Sequence, residues 1–564
     1  MQWLGFAASH GGITALKQFQ LDALHSFNSK QDTLIIQATG SGKSLCFLIP
    51  AIIAADSDSY GILLVPTVAL GESHLQACGK LKIPAVFLNG DSKKKDYELA
   101  FGATRLPGND RPSLIILQPE ILFGSSATTG VVKNLNANRL SFIAIDEVHL
   151  VFDWHTFRPA FNELKRLKEL FSCPLLALTA TIKPDELQKC KTSLLRTPTV
   201  IRSSVDRPNV SINISSYSTR MNSCSLENKE EKWSDVTSYI LEIVKEETTI
   251  VYHAFADDCK AICASFSNLE VETAFYTGKQ TFQEKQEIFD RFRKREIQIL
   301  VATKAFGMGV DLPCIRHCVH IGLPENMSHL IQAFGRVGRD EKEAHGHLLF
   351  NEYLDLKKLS FWTKSMNDAE KRVRLQNFVA VYNFFSTAFA GACLRQYILR
   401  YFEDCTTEQI APINRACCSG CEIKKTHQFE ESPKIRILAQ AILSLSRNRL
   451  TKIYEKQIVA WLIGDTGPDG KWIDSYFNKE DLEEQATFGV ESDESKSQTK
   501  LLVRGLLRQM LALEFVSVEF ELLPNSEIMT KVWSLTENGR LVAEEKLPIP
   551  NLPNPVKVVE FLSR

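Results

Sequence analysis

The sequence has no apolar run approaching the roughly 18 residues that a membrane-spanning helix needs. Its opening, MQWLGFAASHGG, has neither a basic start nor a long apolar core, so no secretory signal is expected. Neither sign of charge is in excess: 66 Lys and Arg face 67 Asp and Glu, a net of −1. That balance argues against a surface coated for polyanions but leaves room for a local basic groove. No repeat of solenoid period is present. A disulfide framework is missing too. The 14 cysteines are mostly scattered, and Cys46, Cys78 and Cys173, beside apolar segments, read as buried free thiols. One cluster, from Cys393 to Cys421, is different.

What the chain does have is length and alternation. Its 564 residues are too many for one core and predict several domains. Up to about residue 205, TLIIQA, YGILLVP, SLIILQP, SFIAID and PLLALTA are near-continuous apolar runs ending in small or polar residues. Buried parallel strands linked by crossover helices read this way. The pattern restarts at TTIVYHAF, ETAFYTG, IQILVATKAFG and RHCVHIGLP. The fold class is therefore α/β, with two doubly wound units joined near SVDRPNVS. Residues 215–235 read as a polar surface excursion in the second unit. From about residue 353 the strand signal vanishes and helical periodicity takes over. After the cysteines, IRILAQAILSLS and QTKLLVRGLLRQMLALEFV are helical, and the next stretch reads as a hairpin turning at Pro524-Asn525. Helices followed by a hairpin fit a winged helix. The tail, KLPIPNLPNPVK, is Pro-rich and reads as extended or linker-like. The expected domains are 1–205, 206–352, 353–428 (helical, with the cysteines), 429–545 (winged helix) and a tail, 546–564.

LIIQATGSGKSLCFLIP is the strongest local signal. A strand feeds a glycine loop, and a helix begins near Lys43. Glycines let backbone wrap phosphate, and a helix N-terminus aims N–H groups at it. The strict P-loop spacing asks for glycine where Gln37 stands, but a tighter form is met by Ala38, Gly40, Gly42, Lys43 and Ser44. The loop residues Thr39, Gly40, Ser41 and Gly42 are expected to cradle the phosphates of ATP. Lys43 pairs with the β- and γ-phosphates, and Ser44 holds Mg²⁺. At the end of SFIAID, Asp146 is placed to hold that Mg²⁺ and Glu147 to polarise the attacking water.

These residues carry a resemblance. DEVH resembles the DEAH-type box of superfamily-two helicases. LKQFQLDAL, VPTVAL, QPE, LTAT, DRPN, VATKAFGMGVD and QAFGRVGRD follow in the order of the RecQ family of DNA helicases, over roughly residues 10 to 545. The resemblance implies two RecA-like lobes, a helical zinc-binding module and a winged helix. It implies an intracellular enzyme working with DNA, in the nucleus of a eukaryote or the cytoplasm and nucleoid of a bacterium. The activity implied is ATP-driven 3′-to-5′ unwinding in repair, recombination or replication. An RNA-remodelling ATPase and an ATP-switched DNA-binding scaffold are the competing readings. Gln20 is expected to read the adenine. Arg336 and Arg339, three apart, are expected on one helical face, aimed at the γ-phosphate.

In the family an aromatic-rich loop follows the DEAH-type box, and here it is LVFDWHTFRPAF. Trp154 and Phe157 are expected to stack on bases, and Arg158 to pair with phosphate or an acidic residue. Zinc (Zn²⁺) is expected on Cys393, Cys405, Cys418 and Cys421, with Cys417 an adjacent spare able to displace Cys418. Lys496 and Lys500, at the start of the winged helix's recognition helix, are expected to meet duplex phosphates.

Overall fold

The computed structural model of the chain describes residues 15–57, 59–101, 111–123, 135, 138–153, 158–217, 231–306, 315–402, 417–430, 432–447, 452–462, 496–522 and 529–563. These fold as two compact units. One is built from residues up to 207 with short returns at 305–306 and 399–402, the other from 208–304, 315–398 and 417 onward.

In the first unit the apolar runs become a seven-stranded parallel sheet. Its strands are β1 (Thr33–Ile36), β2 (Tyr60–Leu64), β3 (Ala85–Leu88), β4 (Leu114–Leu117), β5 (Leu140–Ile145), β6 (Leu175–Thr179) and β7 (Thr199–Arg202). They lie in the order β3-β4-β2-β5-β6-β1-β7. Strands buried on both faces need no polar alternation, and successive residues feed opposite layers. Leu34 and Ile36 join one apolar core while Ile35 joins the other. The order sets β5, β6 and β1 side by side, so three loops leave the sheet together at one carboxyl edge, the edge where doubly wound sheets bind ligands. Cys46 and Cys78 are buried free thiols, as read, whereas Cys173 is half-buried.

The second unit carries a six-stranded parallel sheet: β8 (Val210–Ser216), β9 (Thr249–Tyr252), β10 (Thr273–Tyr276), β11 (Ile299–Ala302), β12 (His317–Ile321) and β13 (Ala344–Phe350), in the order β10-β11-β9-β12-β13-β8. The stretch read as a polar excursion ends differently. Trp233 is fully buried in the core of this sheet and packs on His253, with ring centroids 5.2 Å apart. Residues 218–230 lie outside the described residues.

Beyond β13 come the helices Glu352–Thr363, Asp368–Thr387 and Ser419–Thr426. A short β14 (Phe429–Glu430) and the helix Pro433–Arg447 follow, then β15 (Ile453–Tyr454) and the helices Glu455–Leu462 and Lys496–Ala512. A hairpin of β16 (Val516–Leu522) and β17 (Met529–Leu535) completes an antiparallel sheet of order β15-β17-β16. The expected turn at Pro524-Asn525 lies outside the described residues.

The Pro-rich tail is not a linker. Leu552–Pro553 forms β18, paired with β14, and Pro555–Leu562 is a helix. Proline at a helix's first position costs no hydrogen bond, and Asn554 caps the helix with its side chain. Leu552, Val558 and Leu562 are buried, each worth about 1.5–3 kcal/mol. Gln509 donates to the Pro553 carbonyl at 2.7 Å, and a Cβ on Gly505 would meet Pro555 at 2.7 Å.

One buried charge cluster ties β17 and the two helices before its hairpin to the end of the second sheet. Glu352, just after β13, accepts from Lys531 of β17 at 2.6 Å, from Arg508 at 3.1 Å and from the Tyr382 hydroxyl at 2.8 Å. Lys531 also reaches Glu455 at 3.0 Å, and Arg504 reaches Glu455 at 2.6 Å. Burial pushes the Glu352 carboxyl up, but Lys531, Arg508 and Arg504 outweigh it and hold it well below the usual range. Removing one partner strands buried charge, a loss of about 3–5 kcal/mol. Glu352→Ala is therefore expected to lower the melting temperature by several degrees. A variant that melts with the wild type would show that the cluster adds nothing.

Candidate nucleotide and metal sites

The three loops at the first unit's carboxyl edge hold the predicted residues. From β1 the chain enters the glycine loop, where Gly40 and Gly42 take φ of 73° and 91°. An L side chain is strained there, and a Cβ on Gly42 would also sit 2.8 Å from the Gln20 amide. Gln20 donates to the Gly42 carbonyl at 2.9 Å and accepts from the Lys17 N–H at 2.8 Å, so it braces the loop. The Lys43 ammonium donates to the Gln37 and Ala38 carbonyls at 2.9 and 3.1 Å. Ser44 stands at the head of the helix Leu45–Asp56.

From β5 come Asp146 and Glu147. Asp146 Oδ1 accepts the Glu147 N–H at 2.9 Å, and Oδ2 is bonded to His74 Nε2 at 2.8 Å. Burial raises the Asp146 carboxyl, but His74 and Lys43 together hold it below its usual range. Glu147 sits at φ 50°, a conformation rare for a residue with a Cβ and one that marks functional turns. Next to it, His149 Nδ1 lies 3.4 Å from Glu147 Oε2 and 2.9 Å from Thr179 Oγ1, at the end of β6. Thr179 in turn donates to the Thr181 carbonyl at 2.7 Å. DEVH and LTAT are thus joined through buried side chains.

Trp154 and Phe157 lie outside the described residues. Arg158 is described, and it meets an acidic residue. Its Nε and one terminal nitrogen grip both oxygens of Glu120 at 2.6 Å, and the other terminal nitrogen donates to the Pro66 carbonyl. It also stacks over Phe161 at 4.6 Å. The loop's end therefore fastens QPE to VPT.

In the second unit the helix Met327–Phe334 stops before Arg336, so Arg336 and Arg339 do not share a helical face. They stand in the turn that follows. Gly338, at φ 58°, cannot continue a helix. Asn209 of DRPN clamps that turn by donating to the Gly338 and Lys342 carbonyls, both at 2.8 Å. Arg336 is buried beside the Tyr252 hydroxyl.

Cys393, Cys417, Cys418 and Cys421 bring their sulfurs within 4.8 Å of one another. Measured pairs are 3.6 Å for Cys393–Cys417, 3.8 Å for Cys417–Cys421 and 4.0 Å for Cys393–Cys418. Tetrahedral zinc with bonds of about 2.3 Å puts its sulfurs about 3.8 Å apart, so the group fits these four. Gly420 makes the approach possible, since a Cβ there would lie 1.9 Å from the Ala392 carbonyl oxygen. Cys405 lies outside the described residues. So does the side chain of Lys496, whereas Lys500 is exposed and lines a cavity of about 410 Å³ with Tyr353, Tyr454 and Arg504. Sequence reasoning did not find His74, and it met Glu120 only within QPE without naming it as the partner of Arg158; both partners come from distant segments.

Residues 17–190 match the DEAD/DEAH box helicase family, and 231–341 match the helicase conserved C-terminal domain. The chain is 27% identical over 456 residues to ATP-dependent DNA helicase Q1 of Mus musculus, covering 80% of this chain and 67% of that protein. It is 29% identical to ATP-dependent DNA helicase hus2/rqh1 of Schizosaccharomyces pombe, over 73% of this chain but 30% of the relative. Among solved structures, Mycobacterium smegmatis helicase Lhr bound to ssDNA and AMP-PNP shares the fold, at a TM-score of 0.51 and 15% identity, over 97% of this chain and 62% of that one. Both sheets are RecA-like lobes. The motif order, the two domain matches and these relatives make the chain similar to the RecQ family of ATP-dependent DNA helicases.

Proposed function

We propose that the chain hydrolyses ATP to move 3′ to 5′ along single-stranded DNA and to separate duplexes, in repair, recombination or replication. One observation carries the reading: adjacent strands β1, β6 and β5 deliver the P-loop, the threonines of LTAT and the DEVH carboxylates to one edge. Lys43 exchanges its bonds to Gln37 and Ala38 for the β- and γ-phosphates, beside the loop N–H groups of Thr39 to Ser44. Ser44 and Asp146 would hold Mg²⁺, which when bound would supply positive charge beside the phosphates. Glu147 accepts a proton from the attacking water. Gln20 reads the adenine, releasing one of its two backbone bonds. Arg336 and Arg339 add the positive charge that phosphoryl transfer needs. Zinc is held by Cys393, Cys417, Cys418 and Cys421, and the region from 433 to 543 serves as a winged helix with Lys496 and Lys500 toward duplex phosphates. ATP turnover with and without single strands, and unwinding of 3′- against 5′-tailed duplexes, test this. Turnover stimulated by RNA alone would favour the remodelling reading. ATP binding without turnover would favour a scaffold.

Trp154 and Phe157 stack on bases in this reading. Trp154→Ala is expected to weaken single-strand binding roughly five- to a hundred-fold, because one stacked base is worth about 1–3 kcal/mol. Turnover should stay below wild type even at saturating DNA. Full recovery at saturation would show that Trp154 grips the strand without signalling to Glu147.

A further inference from the structure

Within that ATP-site reading, we propose that His74 is the positioning residue for Asp146. The residue sits mid-helix in Val68–Lys80, in no motif, and is 6% exposed. Its Nε2 meets Asp146 Oδ2 at 2.8 Å. A carboxylate only accepts, so Nε2 carries the hydrogen. The other oxygen is held by the Glu147 N–H, so the carboxylate is gripped at both ends. Neither grip touches a phosphate. Phe47, on the helix that follows the P-loop, packs edge-on against the imidazole with centroids 5.2 Å apart and fixes its plane. The rotamer of the metal-facing carboxylate is thus set by a residue from the β2 side of the sheet and a ring from the P-loop helix.

A buried histidine that merely found an acceptor would contribute stability alone. A residue that orients a metal ligand does something else: its loss typically lowers metal affinity 10- to 100-fold. Three variants separate these. His74→Leu removes the donor. In His74→Gln the amide nitrogen reaches the place of Nε2. In His74→Asn the amide is one bond too short to reach Asp146.

The test is Mn²⁺ binding in the presence of ADP, followed by the loss of the free-ion electron paramagnetic resonance signal of Mn²⁺ with the full chain. Affinity for ADP in EDTA is the control. His74→Leu and His74→Asn are expected to raise the half-saturating Mn²⁺ about 10- to 100-fold, with ADP affinity in EDTA as in wild type. His74→Gln is expected to recover most of the difference. An unchanged Mn²⁺ requirement in His74→Leu overturns the proposal, and so does a Gln variant as impaired as Leu. If His74→Leu does not fold, the Gln–Asn contrast decides. No Mn²⁺–ADP binding by the wild type would overturn the nucleotide-site reading itself.

Discussion

Glu147→Gln is expected to lose nearly all DNA-stimulated ATP turnover while still binding nucleotide. A positioned general base contributes about 10²- to 10⁴-fold, and the amide keeps the size of the carboxylate but cannot take the proton. The backbone is no obstacle, because Gln meets the same constraint at φ 50° that Glu already meets. Lys43→Ala should lose turnover as well, for another reason: the ammonium that replaces two loop carbonyls with phosphate is gone. Nucleotide affinity, measured beside turnover, separates the two variants. It should fall in Lys43→Ala and hold in Glu147→Gln. Near wild-type turnover in Glu147→Gln would show that another group activates the water.

The second large effect concerns zinc. One zinc per chain is expected by elemental analysis, and its removal by chelation should unfold the region around the four thiols. Structural zinc in finger peptides is worth about 10–16 kcal/mol, as much as the whole stability of a typical domain. Damage should spread to the second sheet, because the Cys417 carbonyl accepts the Ile212 N–H at 3.1 Å and Ser419 Oγ accepts the Ile214 N–H at 2.9 Å. Both bonds end on the edge strand β8. Cys421→Ser should reproduce chelation. Cys405→Ser should keep the metal, since four sulfurs already meet without it. A metal-free Cys405→Ser protein would restore the ligand set that the family resemblance implies, and a metal-free wild type would remove the zinc reading altogether.

Strands were legible where both faces are buried. TLII, YGILL, LIIL and LLALT are apolar throughout and form β1, β2, β4 and β6. The strands missed were of another kind. β3, β7 and β8 run at sheet edges, where one face is only partly covered, so VSINISS alternates polar and apolar residues. β13 hides in AHGHLLF, whose His345 and His347 break the apolar run. The P-loop was legible because its chemistry needs neighbours in sequence. The contact between His74 and Asp146 joins residues 72 apart, and that between Glu352 and Lys531 joins residues 179 apart. Nothing local marks either one, because each joins elements that are far apart in the chain. The helical reading of Arg336 and Arg339 fails for a local reason: the helix ends at Phe334, and Gly338, at φ 58°, keeps it from resuming between the arginines.

The seat of the tail on Gly505 also bears on how this sequence can drift. Pro555 occupies the space that a methyl group at 505 would need, and the two positions are 50 apart in the chain. Position 505 cannot gain a side chain while the backbone at 555 stays where it is. An alanine at 505 would arise neutrally only in a lineage whose tail had already moved, so the pair should be inherited as one character. Related sequences that carry a side chain at the position of Gly505 should also have moved the backbone at 555 away from the helix, and with it the hold on Val558 and Leu562.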